Sequence, residues 1–264
     1  MFRHVFASTL LLILLCANSP AQHHDDDHEL HFSHPLIVES PSPDSKVRLD
    51  YFYMRNSETG ETTSDHTPRI EAEYAFKRTF SIEINLPYTF RRSDVQPYQS
   101  HLDTIEVSFK FASFALKEHH ILPTYGLSFE LPTGNRSGIG SNHVLNIEPF
   151  AGVGYKRKKL ELIGIGSVGF PVNKRTGEEE GTEFGFGAAA LYKVNHHIQP
   201  LIEFDSHRVL SGPEQGRTEI NISPAIKFLP PNDHWQIGIG AGFPVTSDHE
   251  FKVRTVISVF YHFD

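Results

Sequence analysis

Between Gln22 and Asp44 the chain holds five histidines, His23, His24, His28, His31 and His34. Six acids share the segment, Asp25, Asp26, Asp27, Glu29, Glu39 and Asp44, and it has no lysine or arginine. Neutral imidazole and carboxylate suit Zn, Ni or Cu(II), so the candidate metal ligands are His23, His24, Asp25, Asp26, Asp27, His28, His31 and His34. The spacing His28-x-x-His31-x-x-His34 leaves the geometry to a flexible backbone, which predicts labile capture of Zn, Ni or Cu rather than a fixed centre. A solubilising polar tail accounts for the same residues. No cofactor is required on this reading.

Two other constellations carry less. Gly164-Ile-Gly166-Ser-Val-Gly169 has the spacing of a dinucleotide fingerprint, but that motif needs a strand before it and a helix beginning at the glycines. Here the glycines fall within a stretch that reads as a strand. A serine and a histidine side by side on a membrane-facing surface would suit a hydrolase. The outward positions expected here pair no histidine with a serine, because His262 alternates with Tyr261 and Phe263, and His207 follows the inward Glu203 and Asp205. An enzyme is therefore not expected, and a membrane-embedded hydrolase stands third among the functional readings.

The elements that must position these groups are mostly strands. Residues 1–21 read as a secretory signal peptide, with Arg3 and His4 before the apolar run Ala7 to Ala17 and small residues at Ser19-Pro20-Ala21. The single cysteine, Cys16, lies inside it, so the mature chain is expected to have no disulfide. Removing Arg3 leaves 23 Lys+Arg against 32 Asp+Glu, which makes nucleic acid an improbable partner. Residues 22–44, ending in Ser40-Pro41-Ser42-Pro43, carry too few large apolar groups to offset their ordering entropy and are expected to form a disordered His/Asp-rich tail.

From residue 45 to 264 the pattern has period two. Phe80, Ile82, Ile84, Leu86, Tyr88 and Phe90 interleave with Ser81, Glu83, Asn85 and Thr89. One face is apolar and the other polar. Strands are expected at 46–55, 68–77, 80–90, 103–114, 121–131, 144–155, 159–171, 183–193, 198–207, 217–228, 234–243 and 251–263. Each has about the 9–11 residues that a strand tilted by ~45° needs to cross a bilayer. Short connections alternate with longer ones rich in Gly, Ser, Asn and charge, and aromatics cluster near strand ends. A mean hydropathy of −0.31 with no long apolar segment excludes a helical membrane protein.

The expected fold is therefore all-β: a transmembrane antiparallel β-barrel of about 12 strands with short periplasmic turns and longer extracellular loops. It belongs in the bacterial outer membrane, bedded in lipid. An even strand count puts the N-terminal tail and the C-terminus in the periplasm. The polar face then lines a lumen formed by Glu71, Glu73, Glu83, Glu106, Lys110, Glu130, Glu148, Glu203, Asp205, Glu219 and Arg254, among others. Its acidic balance predicts a channel or transporter for small polar or cationic solutes, linked to metal ions through the tail. A nonconducting structural barrel, its charges paired across the lumen, is the alternative.

Two stretches resemble known proteins. The last strand, with Val253, Thr255, Ile257, Val259, Tyr261 and Phe263 on one face, resembles the C-terminal strand by which the barrel-assembly machinery recognises its clients, although Asp264 follows the aromatic. Leu127-Ser-Phe-Glu-Leu-Pro-Thr-Gly-Asn-Arg-Ser-Gly-Ile-Gly-Ser-Asn142, followed by Ile147 to Tyr155, resembles a family of outer-membrane barrels called transporters, or "MetA-pathway of phenol degradation" proteins. The Leu-Pro-Thr-Gly at a strand-to-loop exit carries the likeness, which extends loosely over residues 45–264. It implies a barrel and a transport role. Pro132 and Gly134 alone would also simply end a strand and open a loop.

Overall fold

The computed structural model describes residues 30–58, 61–133, 144–172, 181–231 and 234–263. Thirteen strands form one antiparallel sheet: β1 (Lys46–Glu58), β2 (Glu61–Lys77), β3 (Phe80–Ser93), β4 (Gln99–Leu102), β5 (Ile105–Ala112), β6 (Ile121–Leu131), β7 (Asn146–Arg157), β8 (Leu160–Pro171), β9 (Glu183–Tyr192), β10 (Ile198–Val209), β11 (Thr218–Phe228), β12 (Trp235–Pro244) and β13 (Val253–His262). The sheet closes on itself. β1 pairs with β2 on one edge and with β13 on the other, from Lys46 opposite His262 to Arg55 opposite Val253. Among the described residues every strand but the short β4 is paired on both sides, which leaves little edge to recruit another strand.

The barrel nevertheless has twelve staves. β4 and β5 run in the same direction along one edge of β3, β4 against Tyr88–Arg91 and β5 against Phe80–Asn85. They are two halves of one stave interrupted at Asp103 and Thr104, where the Asp103 N–H turns to the Pro87 carbonyl at 3.1 Å. β1 and β2 also depart from expectation. Residues 56–67, read as a loop, instead extend the two strands into a hairpin paired as far as Glu58 opposite Glu61. The short connection after β5 carries a 3-10 turn, Phe114–His119.

Alternation sets the faces. On β3, Ser81, Glu83 and Asn85 are buried while Phe80, Ile82 and Ile84 face outward. On β12, Ile237 and Ile239 are exposed and Gly238, Gly240 and Gly242 are buried. Isoleucine and phenylalanine exposed on strand after strand, including Ile202, Ile239, Ile257 and Phe243, are stable only against hydrocarbon. Aromatics gather where the short turns lie: Phe76, Phe80, Phe111 and Tyr125 stack in a ladder with centroids 5.6, 4.7 and 5.7 Å apart, and Trp235 sits 4.8 Å from Tyr261. Such a girdle marks a membrane interface.

Candidate functional site: an occupied lumen

The inward face surrounds the N-terminal segment. Residues 30–44, expected as part of a loose tail, are not outside the barrel. Phe32 and Leu36 are completely buried and Val38 nearly so. The segment enters the lumen beside β1, folds back so that the Phe32 N–H meets Ser42 Oγ at 2.9 Å, and returns to the same mouth. There the Lys156 ammonium, at the end of β7, donates to the His31 carbonyl at 2.6 Å. Residues 22–29, with His23, His24, Asp25, Asp26, Asp27 and His28, lie outside the described residues.

A segment without strand or helix must find its backbone partners elsewhere when buried. The wall supplies them. Glu203 on β10 accepts the N–H groups of Leu36, Ile37 and Val38 at 3.2, 2.7 and 2.8 Å. Glu161 on β8 accepts that of Ser33 at 2.7 Å, Lys227 on β11 donates to the His34 carbonyl at 2.7 Å, and Arg48 on β1 donates to the Leu36 carbonyl. Pro35, Pro41 and Pro43 are buried and bring no N–H, so they lower the number of donors to be met. The plug's own Glu39 is paired with Lys110 on β5 at 2.6 Å.

Glycines on the inward face make sockets for the apolar knobs. A Cβ on Gly154 of β7 would lie 2.5 Å from the Phe32 ring, one on Gly187 of β9 would lie 3.2 Å from Val38, and one on Gly238 of β12 would collide with Leu36. Around them the wall is apolar: Leu122, Ile163, Leu191, Leu201, Val256 and Phe260 join Phe32, Leu36 and Val38 in a single buried cluster. The lumen is thus not uniformly polar, as alternation had implied, but carries a dry belt at the depth of the plug.

Below the knobs, carboxylates and bases pair. Lys46 lies 2.8 Å from Glu71, 2.5 Å from Glu73 and 3.4 Å from Glu83, and Lys110 reaches Glu73 at 3.1 Å. Arg48 and Arg69 both hold Asp50, at 2.7 and 2.6 Å. Toward the long loops the acids are less neutralised. Glu106 takes the Ser108 hydroxyl at 2.8 Å and Glu130 the Asn146 amide at 2.9 Å. Glu130, Glu148, Glu183 and His207 line a small open cavity there. Asp205 is bound by Arg254 at 2.6 Å and by Asn221 at 2.8 Å, and Glu219 accepts the Glu250 N–H at 3.1 Å.

At the short-turn mouth, one oxygen of Asp44 gathers three imidazoles: His262 Nδ1 at 2.7 Å, His34 Nε2 at 3.0 Å and His31 Nε2 at 3.7 Å. Burial alone would raise the Asp44 carboxyl, but the N–H groups of His262, His31 and His34 outweigh it and hold the acid well below its usual range. Burial lowers the His34 imidazole, with Lys46 adding to the effect. Of the eight metal candidates, the structure places His31 and His34 in this cluster. Asp44 and His262 join them without having been singled out for it.

The Gly164–Gly169 stretch lies inside β8 rather than at the start of a helix, and the next described element is the strand β9. One histidine does face outward in a strand, His66, made part of β2 by the longer hairpin. Its Nδ1 meets the Tyr51 hydroxyl at 2.6 Å. That is a tyrosine partner, not the serine that hydrolysis would need.

No protein-family model and no curated protein matches the chain. Solved structures do. The "COG4313 outer membrane channel from Pseudomonas putida F1" superposes with a TM-score of 0.69 at 11% identity, over 92% of this chain and 100% of that one. The fold is that of an outer-membrane β-barrel. The NanC porin superposes at a TM-score of 0.57 and 7% identity, covering 83% of this chain and 99% of its own. The KdgM porin gives 0.56 and 13%, with 82% and 99% covered. These likenesses join the apolar outer belt in placing the barrel in an outer membrane, with its short turns and both barrel ends at the periplasmic mouth.

Proposed function

We propose that the protein is an outer-membrane channel for small polar or cationic solutes, shut by its own residues 30–44, which must leave the lumen for solute to pass. The observation that carries this reading is the manner in which the segment is held. It shares no strand pairing with the wall and rests on side-chain bonds, above all the three N–H groups on Glu203, and on knobs in glycine sockets. Contacts of that kind can be broken without opening the barrel's own ladder. A cationic preference is supported by the long-loop vestibule, where Glu130, Glu148 and Glu183 line a small cavity together with His207.

Planar-bilayer recording tests the reading with the mature chain and a form lacking residues 30–43. The shortened form is expected to pass a steady, cation-selective current, and the full chain only brief openings. Equal currents from the two, or an anion-selective shortened form, would count against it. Silence from both would favour the nonconducting structural barrel, whose support is the filled lumen itself.

A further inference from the structure

We infer that His31, His34 and Asp44 form a binding site for a Zn(II)-type divalent ion at the periplasmic mouth, and that the ion holds the plug seated. The three ligand atoms all lie within 4.8 Å of one another. The Asp44 oxygen is 3.0 Å from His34 Nε2 and 3.7 Å from His31 Nε2. An ion with bonds of about 2.0–2.1 Å in tetrahedral geometry spaces its ligand atoms roughly 3.3 Å apart, so small shifts seat one. Two imidazoles and a carboxylate, without sulfur, select Zn, Ni or Cu(II) over softer or harder ions.

The surroundings fit a site rather than a chance meeting of polar groups. His262 Nδ1 donates to the same Asp44 oxygen at 2.7 Å and so fixes the carboxylate from the barrel wall, the support that bound metals commonly have. The side chain of His34 is 3% exposed and that of His31 52%, so an ion has a rigid ligand on one side and a way in from solvent on the other. Asp44 lies ten positions after His34. They converge because the segment folds back on itself, Phe32 against Ser42. An extended, unplugged segment has no reason to bring them together, so an ion that needs all three ligands favours the seated state by mass action. The effect on the pore rests on the channel reading above; the site does not.

Zn(II) is titrated into the mature protein in competition with a chromophoric chelator. One site should survive in H23A/H24A/H28A, which removes the upstream histidines, and weaken at least ~100-fold in H31A and in H34Q. H262A should weaken it by about 10–100-fold. His31 is exposed, so H31A tests the site without risk to the fold. Loss of the tight site in the upstream variant, or unchanged affinity in H31A, would overturn the assignment. In bilayers, Zn(II) at about 100 times its Kd should make openings ~100-fold rarer. Openings that ignore bound Zn(II) would overturn the holding role. A protein that binds Zn(II) as described yet never conducts would instead retire the channel reading and leave the site standing.

Discussion

Three consecutive backbone N–H groups, those of Leu36, Ile37 and Val38, end on the single carboxylate of Glu203 inside the barrel. Each would otherwise be a buried donor without an acceptor, at about 1–3 kcal/mol apiece. Glu203→Leu removes the acceptor while keeping bulk, and it leaves the β10 backbone ladder untouched. The expected result is release of the plug by at least ~2 kcal/mol, roughly a 30-fold rise in its open population. Because the mature chain is expected to lack cysteine, a Ser40→Cys reporter reads this directly: Ser40 is buried, and a membrane-impermeant maleimide should label it about 30-fold faster in the Glu203→Leu background. Unchanged labelling would mean that the carboxylate does not hold the segment.

The strands were plain in the sequence because lipid on one side and a lumen on the other impose alternation on nearly every residue. β6 begins at Ile121 and ends at Leu131, where the pattern placed it, and most other ends lie within a few residues. β4 was missed because four residues, Gln99–Leu102, are too few to show a period. The plug was missed for a different reason. Its composition, rich in His, Asp, Ser and Pro, is that of an unfolded tail, and the groups that order it stand far away in sequence, as Glu203 does from Leu36. Two signals were present: Phe32, Leu36 and Val38 are apolar residues in an otherwise polar stretch, and glycines recur at inward positions of β7, β9 and β12. Three of those glycines, Gly154, Gly187 and Gly238, are the sockets. The outward assignment of the strands has its own test. Ile239, 48% exposed on β12, faces hydrocarbon, so Ile239→Arg should destabilise the barrel in lipid by about 2–4 kcal/mol if it lies near the midplane. A denaturant midpoint unchanged from wild type would contradict the placement.

Seen whole, the molecule divides its apolar and polar groups twice. The outer surface gives its greasy side chains to lipid, and the inner surface gives charge to the plug's backbone and a dry belt to the plug's knobs. Lys46, Arg48 and Lys110 serve both the wall and the segment, since the acids they neutralise surround the plug's stem. The central claim, that the N-terminal segment sits in the pore and shuts it, is most directly tested at the pair Glu39 and Lys110, 2.6 Å apart across the plug–wall contact. With both replaced by cysteine, the bilayer current is measured before and after a short bis-maleimide, which adds one cysteine thiol across each of its two C=C bonds, joins them. Rapid intramolecular joining that abolishes all openings is the predicted result. A fully joined protein whose openings are as frequent as before, or a pair that cannot be joined at all, would contradict the account.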